Sequence, residues 1–92
     1  MGFTRESAVE QAKSDLASRL HIGVGEISVN DVSDRDFPDM SLGAAVDGEM
    51  SAQMISSGWQ IGLKSGGDVY EYRADKYQLR LHNFLGKNYV IK

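Results

Sequence analysis

Four aspartates lie close together in the sequence and are the first residues that could do chemistry, as ligands for a cation. Their spacing is three, two and three positions: Asp31, Asp34, Asp36 and Asp39. A calcium loop needs oxygen ligands at fixed alternating positions, with a central glycine and a late glutamate. That glycine is absent here, and Pro38 interrupts the run. We therefore favour solvated loop carboxylates that begin turns over a calcium site.

The chain's two histidines are the other candidate metal ligands. His21 falls near the predicted end of a helix, where its side chain interacts with the last carbonyls. His82 is predicted to face outward from a strand, beside Val69. A metal site that used both histidines would need them close in space, so we favour a helix cap and a plain surface residue.

Loop serines are the candidate nucleophiles, but the groups that activate a serine are scarce. A serine nucleophile needs a base and an oxyanion hole, and no Gly-x-Ser-x-Gly elbow contains Ser41, Ser56 or Ser57. The absence of cysteine excludes thiolate chemistry. The segment 64–68 lacks the Gly-Lys-Ser/Thr order of a phosphate loop, and we predict a hairpin turn there. We expect no catalytic residue, no metal and no cofactor.

Aromatic residues are predicted to alternate along one face of a sheet: Trp59, Tyr70, Tyr72 and Tyr77. An exposed face of this kind can stack single-stranded bases. A net charge of −3 and a pI near 5.2 argue against nucleic acid, because phosphate contacts need a concentrated basic surface. We favour a face covered by the N-terminal helix, whose apolar stripe otherwise has nothing to pack against.

The segment from Phe37 to Gly48 is the candidate site that we favour most. In one interpretation it is a structural flap, with Phe37 and Leu42 closing the end of the core. In the other it is a binding loop held by a rigid sheet, since loops on scaffolds often carry function. Its polar side chains could hold the loop's shape or contact a partner. The candidate partner-binding residues are Phe37, Pro38, Asp39, Met40, Ser41, Leu42, Gly43 and Gln53.

The element that comes first in the chain is an amphipathic helix from Thr4 to about Leu20. Its apolar residues recur at spacings of three and four, which is typical of a helix with one buried face. The Thr4 hydroxyl can cap the first turn. The helix is predicted to end near His21 or Gly23, where a left-handed cap is available.

The stretch from Trp59 to Leu81 predicts three antiparallel strands with one apolar face. Strand side chains alternate faces, so the register is strongly specified wherever one face is buried. A two-residue turn at Gly66-Gly67 sets the first hairpin, and a second turn at Asp75-Lys76 sets the next. The predicted pairs are Leu63 with Tyr70, Ile61 with Tyr72, Trp59 with Ala74, Tyr72 with Leu79, Tyr70 with Leu81 and Glu71 with Arg80.

The remaining segments complete a single α+β domain over residues 1–92, with the N-terminal helix packed on a four- to five-stranded antiparallel meander. We predict a strand over 26–33 with a bulge near Asn30-Asp31 and an irregular segment over 33–49. Loops this long are more often functional or disordered. A further strand over 50–56 turns at 56–58 into Trp59, and a short last strand covers 89–91.

Four short motifs then resemble a small family of bacterial and archaeal domains: Phe37–Gly43, Ala52–Ile55, Gly58–Leu63 and Tyr70–Tyr72. The family pattern is aromatic-Pro-Asp-x-Ser-Leu-Gly, Gln-x-Ile, Gly-aromatic-x-Ile-x-Leu and Tyr-Glu-Tyr. The resemblance implies no established activity. Members often carry Cys-Pro where this chain has Ala44-Ala45, so no role of that cysteine transfers here. The layout also looks like that of PepSY-type inhibitory domains, by fold analogy alone.

The function that these observations favour is a small non-catalytic module that binds or inhibits another protein, through the 37–48 loop or a sheet edge. A homodimer through a sheet edge is also open. Alternatives are a structural accessory domain of a larger assembly and, less favoured, a small-ligand-binding or enzymatic domain. No run approaches the ~20 apolar residues of a membrane helix. The N-terminus has no signal pattern, so we expect a cytoplasmic location, with export open if this is an excised domain.

Overall fold

The computed structural model describes residues 2–92, which form one α-helix followed by five β-strands. The strands lie in sequence order in one sheet, and each is antiparallel to its neighbours. The predicted α+β fold, an N-terminal helix and an antiparallel meander, is therefore confirmed. The elements are α1 (Arg5–Leu20), a turn of 3₁₀ helix (Val24–Glu26), β1 (Ser28–Phe37), β2 (Ser56–Ser65), β3 (Asp68–Ala74), β4 (Leu79–Phe84) and β5 (Lys87–Val90).

The helix α1 has a side-chain cap at its start and a left-handed residue at its end. Thr4 Oγ1 accepts a hydrogen bond from the Ser7 N–H at 3.1 Å, and Ser7 Oγ accepts one from the Thr4 N–H at 2.8 Å. His21 closes the helix with φ of 56° and donates its N–H to the Ala17 carbonyl. The predicted Thr4 cap is confirmed, and of the two predicted ends the structure uses His21.

The core lies between α1 and the sheet face that carries the aromatic residues. Small residues on the helix, Ala8 and Ala12, are fully buried and allow a close approach to the sheet. They pack with Leu16 in one cluster with the buried side chains of Ile61, Leu63, Tyr72, Leu79 and Leu81. The predicted covering of the aromatic face by the helix is therefore correct.

Tyr72 places its hydroxyl under the helix and finds a partner there. The hydroxyl donates to Asp15 Oδ2 at 2.7 Å, and the same oxygen accepts from Arg19 Nε at 2.7 Å. Burial and the nearby Asp15 carboxylate raise the pKa of Tyr72, so the hydroxyl keeps its proton and remains a donor. Tyr77 does not belong to this face, contrary to the prediction, because it lies in the β3–β4 turn with 79% of its surface exposed.

The register of the first hairpin is as predicted, and that of the second is wrong by two residues. Leu81 pairs with Tyr72 and Leu79 with Ala74, which leaves Glu71 opposite His82 rather than Arg80. The reason is a longer turn, 75–78, in which the Asp75 carboxylate accepts the N–H groups of residues 77 and 78 at 2.7 and 3.0 Å. A shift of two residues keeps every side chain on its face.

The chain between β1 and β2 departs most from the prediction. The first strand begins and ends later than predicted, at Ser28–Phe37, although its bulge between Val29 and Asp31 is confirmed. No strand covers 50–55 in the described part of the chain, and 56–58 belongs to β2 rather than to a turn. Ser56 pairs directly with Phe37, so the preceding residues have no neighbouring strand. The last strand is Lys87–Val90 rather than 89–91.

A substitution at Gly58, in β2, tests how closely β2 approaches the end of β3. A Cβ on Gly58 would clash with the backbone oxygen of Ala74, whereas one on Gly25 would meet nothing within 4 Å. Gly58→Ala is expected to lower the free energy of unfolding by about 1–3 kcal/mol, because the strands must move apart. Gly25→Ala is the matched control, with a change within about 0.5 kcal/mol. Urea unfolding measures both, and equal effects would contradict the predicted contact.

Candidate functional site

The segment 38–49 lies across the outer face of the sheet, on the side opposite α1. It is irregular, with turns at 40–43 and 47–48. Its backbone is bound by side chains that alternate along the strands with the residues of the core. The sheet is thus covered on both sides, by a helix on the apolar face and by this segment on the polar face.

Two arginines are central to the contact between the segment 38–49 and the sheet. Arg73 and Arg80 are cross-strand neighbours in β3 and β4, with only 9% and 5% of their surfaces exposed. Arg73 Nη1 donates to the Leu42 carbonyl at 2.9 Å, and Arg80 Nη1 donates to the Ala44 carbonyl at 3.2 Å. Like charges directly opposite one another repel, so each guanidinium also needs a carboxylate.

The carboxylates come from two different parts of the chain. Glu71 Oε2 lies 2.5 Å from Arg73 Nε, within the same strand. Glu49, at the end of the covering segment, binds Arg80 through both oxygens, with 2.6 Å between Oε2 and Nη2. The hydrogen bond from Arg80 lowers the pKa of Glu49 to about 2. The pair therefore stays ionised and anchors the segment at its far end.

Two amides extend the same contact along the segment 38–49. Gln78 Nε2 donates to the Met40 carbonyl at 2.6 Å, and Asn88 Nδ2 donates to the Ala45 carbonyl at 2.8 Å. An irregular backbone leaves carbonyls without partners, and buried carbonyls need donors. The side chains of β3, the β3–β4 turn, β4 and β5 supply those donors and fix the path of the segment.

The turn at 40–43 is also held by groups of its own. Asp39 Oδ1 accepts the N–H groups of Ser41 at 2.9 Å and Gly43 at 3.0 Å. Leu42 and Gly43 both have positive φ, at 60° and 65°, which costs little at a glycine and more at a leucine. A Cβ on Gly43 would lie 2.7 Å from Arg73 Nη1, so glycine leaves room for the guanidinium.

The structure divides the predicted binding residues into a buried and an exposed group. Three are buried and contribute to packing: Phe37, Ser41 and Leu42. Phe37 lies between guanidinium groups, with its ring centre 5.4 Å from Arg35 and 5.6 Å from Arg73. Asp39 and Gly43 are half-buried, while Pro38, Met40 and Gln53 are exposed. Partner binding by this segment stays a prediction. It now concerns the exposed residues Pro38, Met40 and Gln53.

An apolar groove lies beside this segment, where the chain returns toward β2. We use the name apolar groove for the depression of about 370 Å³ whose walls are Met40, Met54, Ile55 and Tyr77 and whose floor includes Ser56 and Asp75. The four wall residues have 38%, 64%, 73% and 79% of their surfaces exposed. Sequence reasoning missed Met54, Ile55 and Tyr77 as site residues, because they were assigned to strands and a stripe facing the core.

The floor of the apolar groove is joined to neighbouring parts of the chain by hydrogen bonds of Asp75 and Lys76. Ser56 Oγ donates to Asp75 Oδ2 at 2.8 Å, which joins the start of β2 to the β3–β4 turn. The Lys76 carbonyl accepts the Phe3 N–H at 2.8 Å, which joins the same turn to the chain before α1. The groove therefore has a fixed floor and adaptable methionine walls.

The candidate metal ligands named in the sequence analysis do not line the apolar groove, whereas the candidate nucleophiles Ser56 and Ser57 do. Asp34 and Asp36 are in strand β1 rather than in a loop, contrary to the prediction. Asp31 lies at the bulge of β1, within the strand predicted over 26–33, and Asp39 begins a turn as predicted. Within residues 2–92, no three His, Cys, Asp or Glu side chains are grouped so that they could hold a metal ion. His82 Nδ1 lies 3.6 Å from Glu71 Oε2, and burial followed by the charge of Arg73 lowers its pKa.

Among the residues that the structure describes, no helix has the length and apolar character needed to cross a membrane.

The buried Ser41 Oγ is a side-chain oxygen without a hydrogen-bond partner. It lies in the tight turn that Asp39 holds, and its position gives it a packing role.

The pair of Glu49 and Arg80 predicts a specific pH dependence. The pKa of Glu49 falls from its ordinary 4.5 to about 2 on folding, so its contribution is complete above about pH 4.5 and is lost as the pH falls toward 2. Glu49→Gln is expected to lower the free energy of unfolding by about 1–3 kcal/mol at neutral pH, because Arg80 loses a charged partner. The difference from wild type should shrink on acidification, as measured by urea unfolding.

Asp47→Asn is the matched control for this experiment, since Asp47 is an exposed carboxylate two residues before Glu49. It is expected to change stability by less than about 0.5 kcal/mol at every pH. A Glu49→Gln variant that unfolds like wild type at neutral pH would show that this ion pair does not hold the segment.

A protein-family model matches most of the chain, although comparisons with individual proteins found no match. No curated protein and no solved structure matches it. The model of one protein family, described as a domain of unknown function (DUF8738), matches residues 9–82. The matched range contains most of α1, all of β1 to β3 and the whole connection between β1 and β2. The chain therefore belongs to the DUF8738 family of domains of unknown function.

Proposed function

We propose that this protein is a small, non-catalytic module that binds another protein through the apolar groove. The observation that carries the proposal is the grouping of four exposed apolar side chains around one depression: Met40, Met54, Ile55 and Tyr77. Single exposed apolar residues are ordinary, whereas a contiguous apolar patch with a polar rim is typical of an interaction site.

The composition of the groove favours a protein partner over a small molecule. Methionine side chains are flexible and adapt to apolar surfaces of different shapes, and tyrosine is common where interfaces concentrate their binding energy. The groove is shallow, and its one buried charge, Asp75, is already bonded to Ser56 and to the turn. An apolar side chain from a partner, inserted between Met54 and Tyr77, fits this arrangement.

The segment 38–49, which contains most of the predicted binding loop, is itself fixed to the sheet. The segment 38–49 is bonded to the sheet through Arg73, Gln78, Arg80 and Asn88. Such fixation is what a covering element of the fold requires. It favours a structural role for this part of the predicted loop and leaves binding to the residues around the apolar groove.

Three finer expectations belong to the same proposal. We retain as proposals the resemblance to domains with the aromatic-Pro-Asp-x-Ser-Leu-Gly pattern, which implies no activity, and the PepSY-like layout, which suggests an inhibitory role by fold analogy alone. We also retain a cytoplasmic location as a proposal, with an exported context as its alternative. A partner caught from the cytoplasm or from the cell envelope would decide between the two locations.

The test is capture of partners from native extract by wild type and by a Met54→Ser, Ile55→Ser double variant. Both substitutions are at exposed residues, so the fold should persist, as circular dichroism can check. We expect the partner bound by wild type to fall about tenfold or more, because truncation at the centre of an interface removes much of its affinity. The captured protein is identified by mass spectrometry.

Leu85→Asn is the matched control for the loss of an exposed apolar residue. Leu85 is 89% exposed in the β4–β5 turn and has a φ of 52°, which asparagine tolerates well. Capture by this variant should equal that of wild type. A partner retained equally by wild type, the double variant and the control would show that the groove is not the binding surface.

A further inference from the structure

The outer edge of β1 is a long strand edge that no strand covers in the described part of the chain. β1 is first in the strand order and pairs with β2 on one side only. Nine of its ten residues are exposed or half-buried. An antiparallel edge strand directs alternate N–H and C=O groups away from its sheet, and these groups can pair with an added strand.

Two features restrict pairing at this edge to part of its length. The bulge between Val29 and Asp31 disturbs the regular backbone at the start of the strand. Arg5 Nη2 then donates to the Val32 carbonyl at 2.8 Å, so the helix already binds a backbone group there. The stretch Ser33–Asp36 follows both features and pairs with β2 in an unbroken register. This stretch is the part of the edge with regular geometry.

The charge of the edge indicates the kind of strand that fits. β1 has three aspartates and one arginine, a net charge of −2: Asp31, Asp34, Asp36 and Arg35. Arg35 is engaged within the sheet, through a hydrogen bond from Nη1 to Gln60 Oε1 and a position over the Phe37 ring. Asp34 and Asp36 share one face of the strand, two positions apart, and both are exposed. Asp36 Oδ1 also accepts from Ser57 Oγ at 2.7 Å.

We propose that the β1 edge binds an extended basic segment of another protein by strand addition, with lysine or arginine at alternate positions facing Asp34 and Asp36. Cross-strand pairs of opposite charge stabilise a sheet, and side chains at alternate positions reach the same face. A second copy of this chain fits less well, because pairing two β1 edges brings two strands of net negative charge together. Asp34 and Asp36 do not line the apolar groove, but Ser57 does and also donates to Asp36. The two sites are therefore adjacent, and each proposal is tested by its own variant.

The experiment titrates the full chain with a synthetic peptide of alternating lysine and valine, and with the same peptide N-methylated at every backbone amide. The chemical shifts of the backbone amides locate the site, and Trp59, the chain's one tryptophan, reports it by fluorescence because it pairs with Asp34. We expect shifts confined to β1 and its neighbours. We expect the N-methylated peptide to bind at least about tenfold more weakly, because it cannot donate to the edge.

An Asp34→Asn, Asp36→Asn variant tests the charge separately from the backbone. Each neutralised carboxylate should weaken binding about two- to fivefold, as for exposed ion pairs. Asp68→Asn, at the exposed start of β3, is the control and should bind like wild type. No binding of the plain peptide, equal binding of the N-methylated one, shifts centred outside β1, or a dimer of the free chain that protects β1 would each overturn the proposal.

Discussion

Two guanidinium groups that are buried on the outer face of the sheet constrain the rest of this structure. Arg73 and Arg80 lie opposite one another in neighbouring strands and are almost fully buried. A charge that leaves water needs a counter-charge and acceptors for its N–H groups. The carbonyls that accept here, those of Leu42 and Ala44, belong to the irregular segment that crosses the sheet between β1 and β2.

The two faces of the sheet are therefore covered by different physical means. On one face, the small residues Ala8 and Ala12 bring the helix close to an apolar surface, and Tyr72 sends its hydroxyl to Asp15. On the other face, side-chain donors of the sheet bind backbone carbonyls of the segment 38–49. Both proposals of function concern surfaces that these covering elements leave exposed: the apolar groove and the outer edge of β1.

Most of the fold could be predicted from the sequence because side-chain alternation fixes which face a residue occupies. Ile61 and Tyr72 had to share a buried face, and the helix stripe had to cover it. The length of the β3–β4 turn was missed because two-residue and four-residue turns keep the same alternation. The alternating apolar residues Met50 and Met54 predicted a strand that is absent from the described residues. The periodicity of residues 50–56 could not show that Ser56 is the residue of β2 that pairs with Phe37, the last residue of β1.

Of the apolar groove's wall residues, only Met40 was among the binding residues predicted from the sequence. The sequence identified the segment after Phe37, but it could not show that Arg73 reaches the Leu42 carbonyl, since this contact joins residues far apart in the chain. The role of Asp39 in holding a turn was foreseeable from local chemistry. The exposure of Met54 and Tyr77 was not foreseeable, because it depends on where β2 begins and where β3 ends.

The most direct test of this account is native-state hydrogen exchange of the N–H groups of Leu42 and Ala44, in wild type and in an Arg73→Leu, Arg80→Leu variant. Both amides are hydrogen-bonded within the segment 38–49, to the carbonyls of Asp39 and Ser41. The account predicts that the variant loses protection at these amides while the amides of β2 and β3 that pair beneath the helix keep theirs. Unchanged protection at Leu42 and Ala44 would contradict it, since the segment would then hold its shape without the buried arginines.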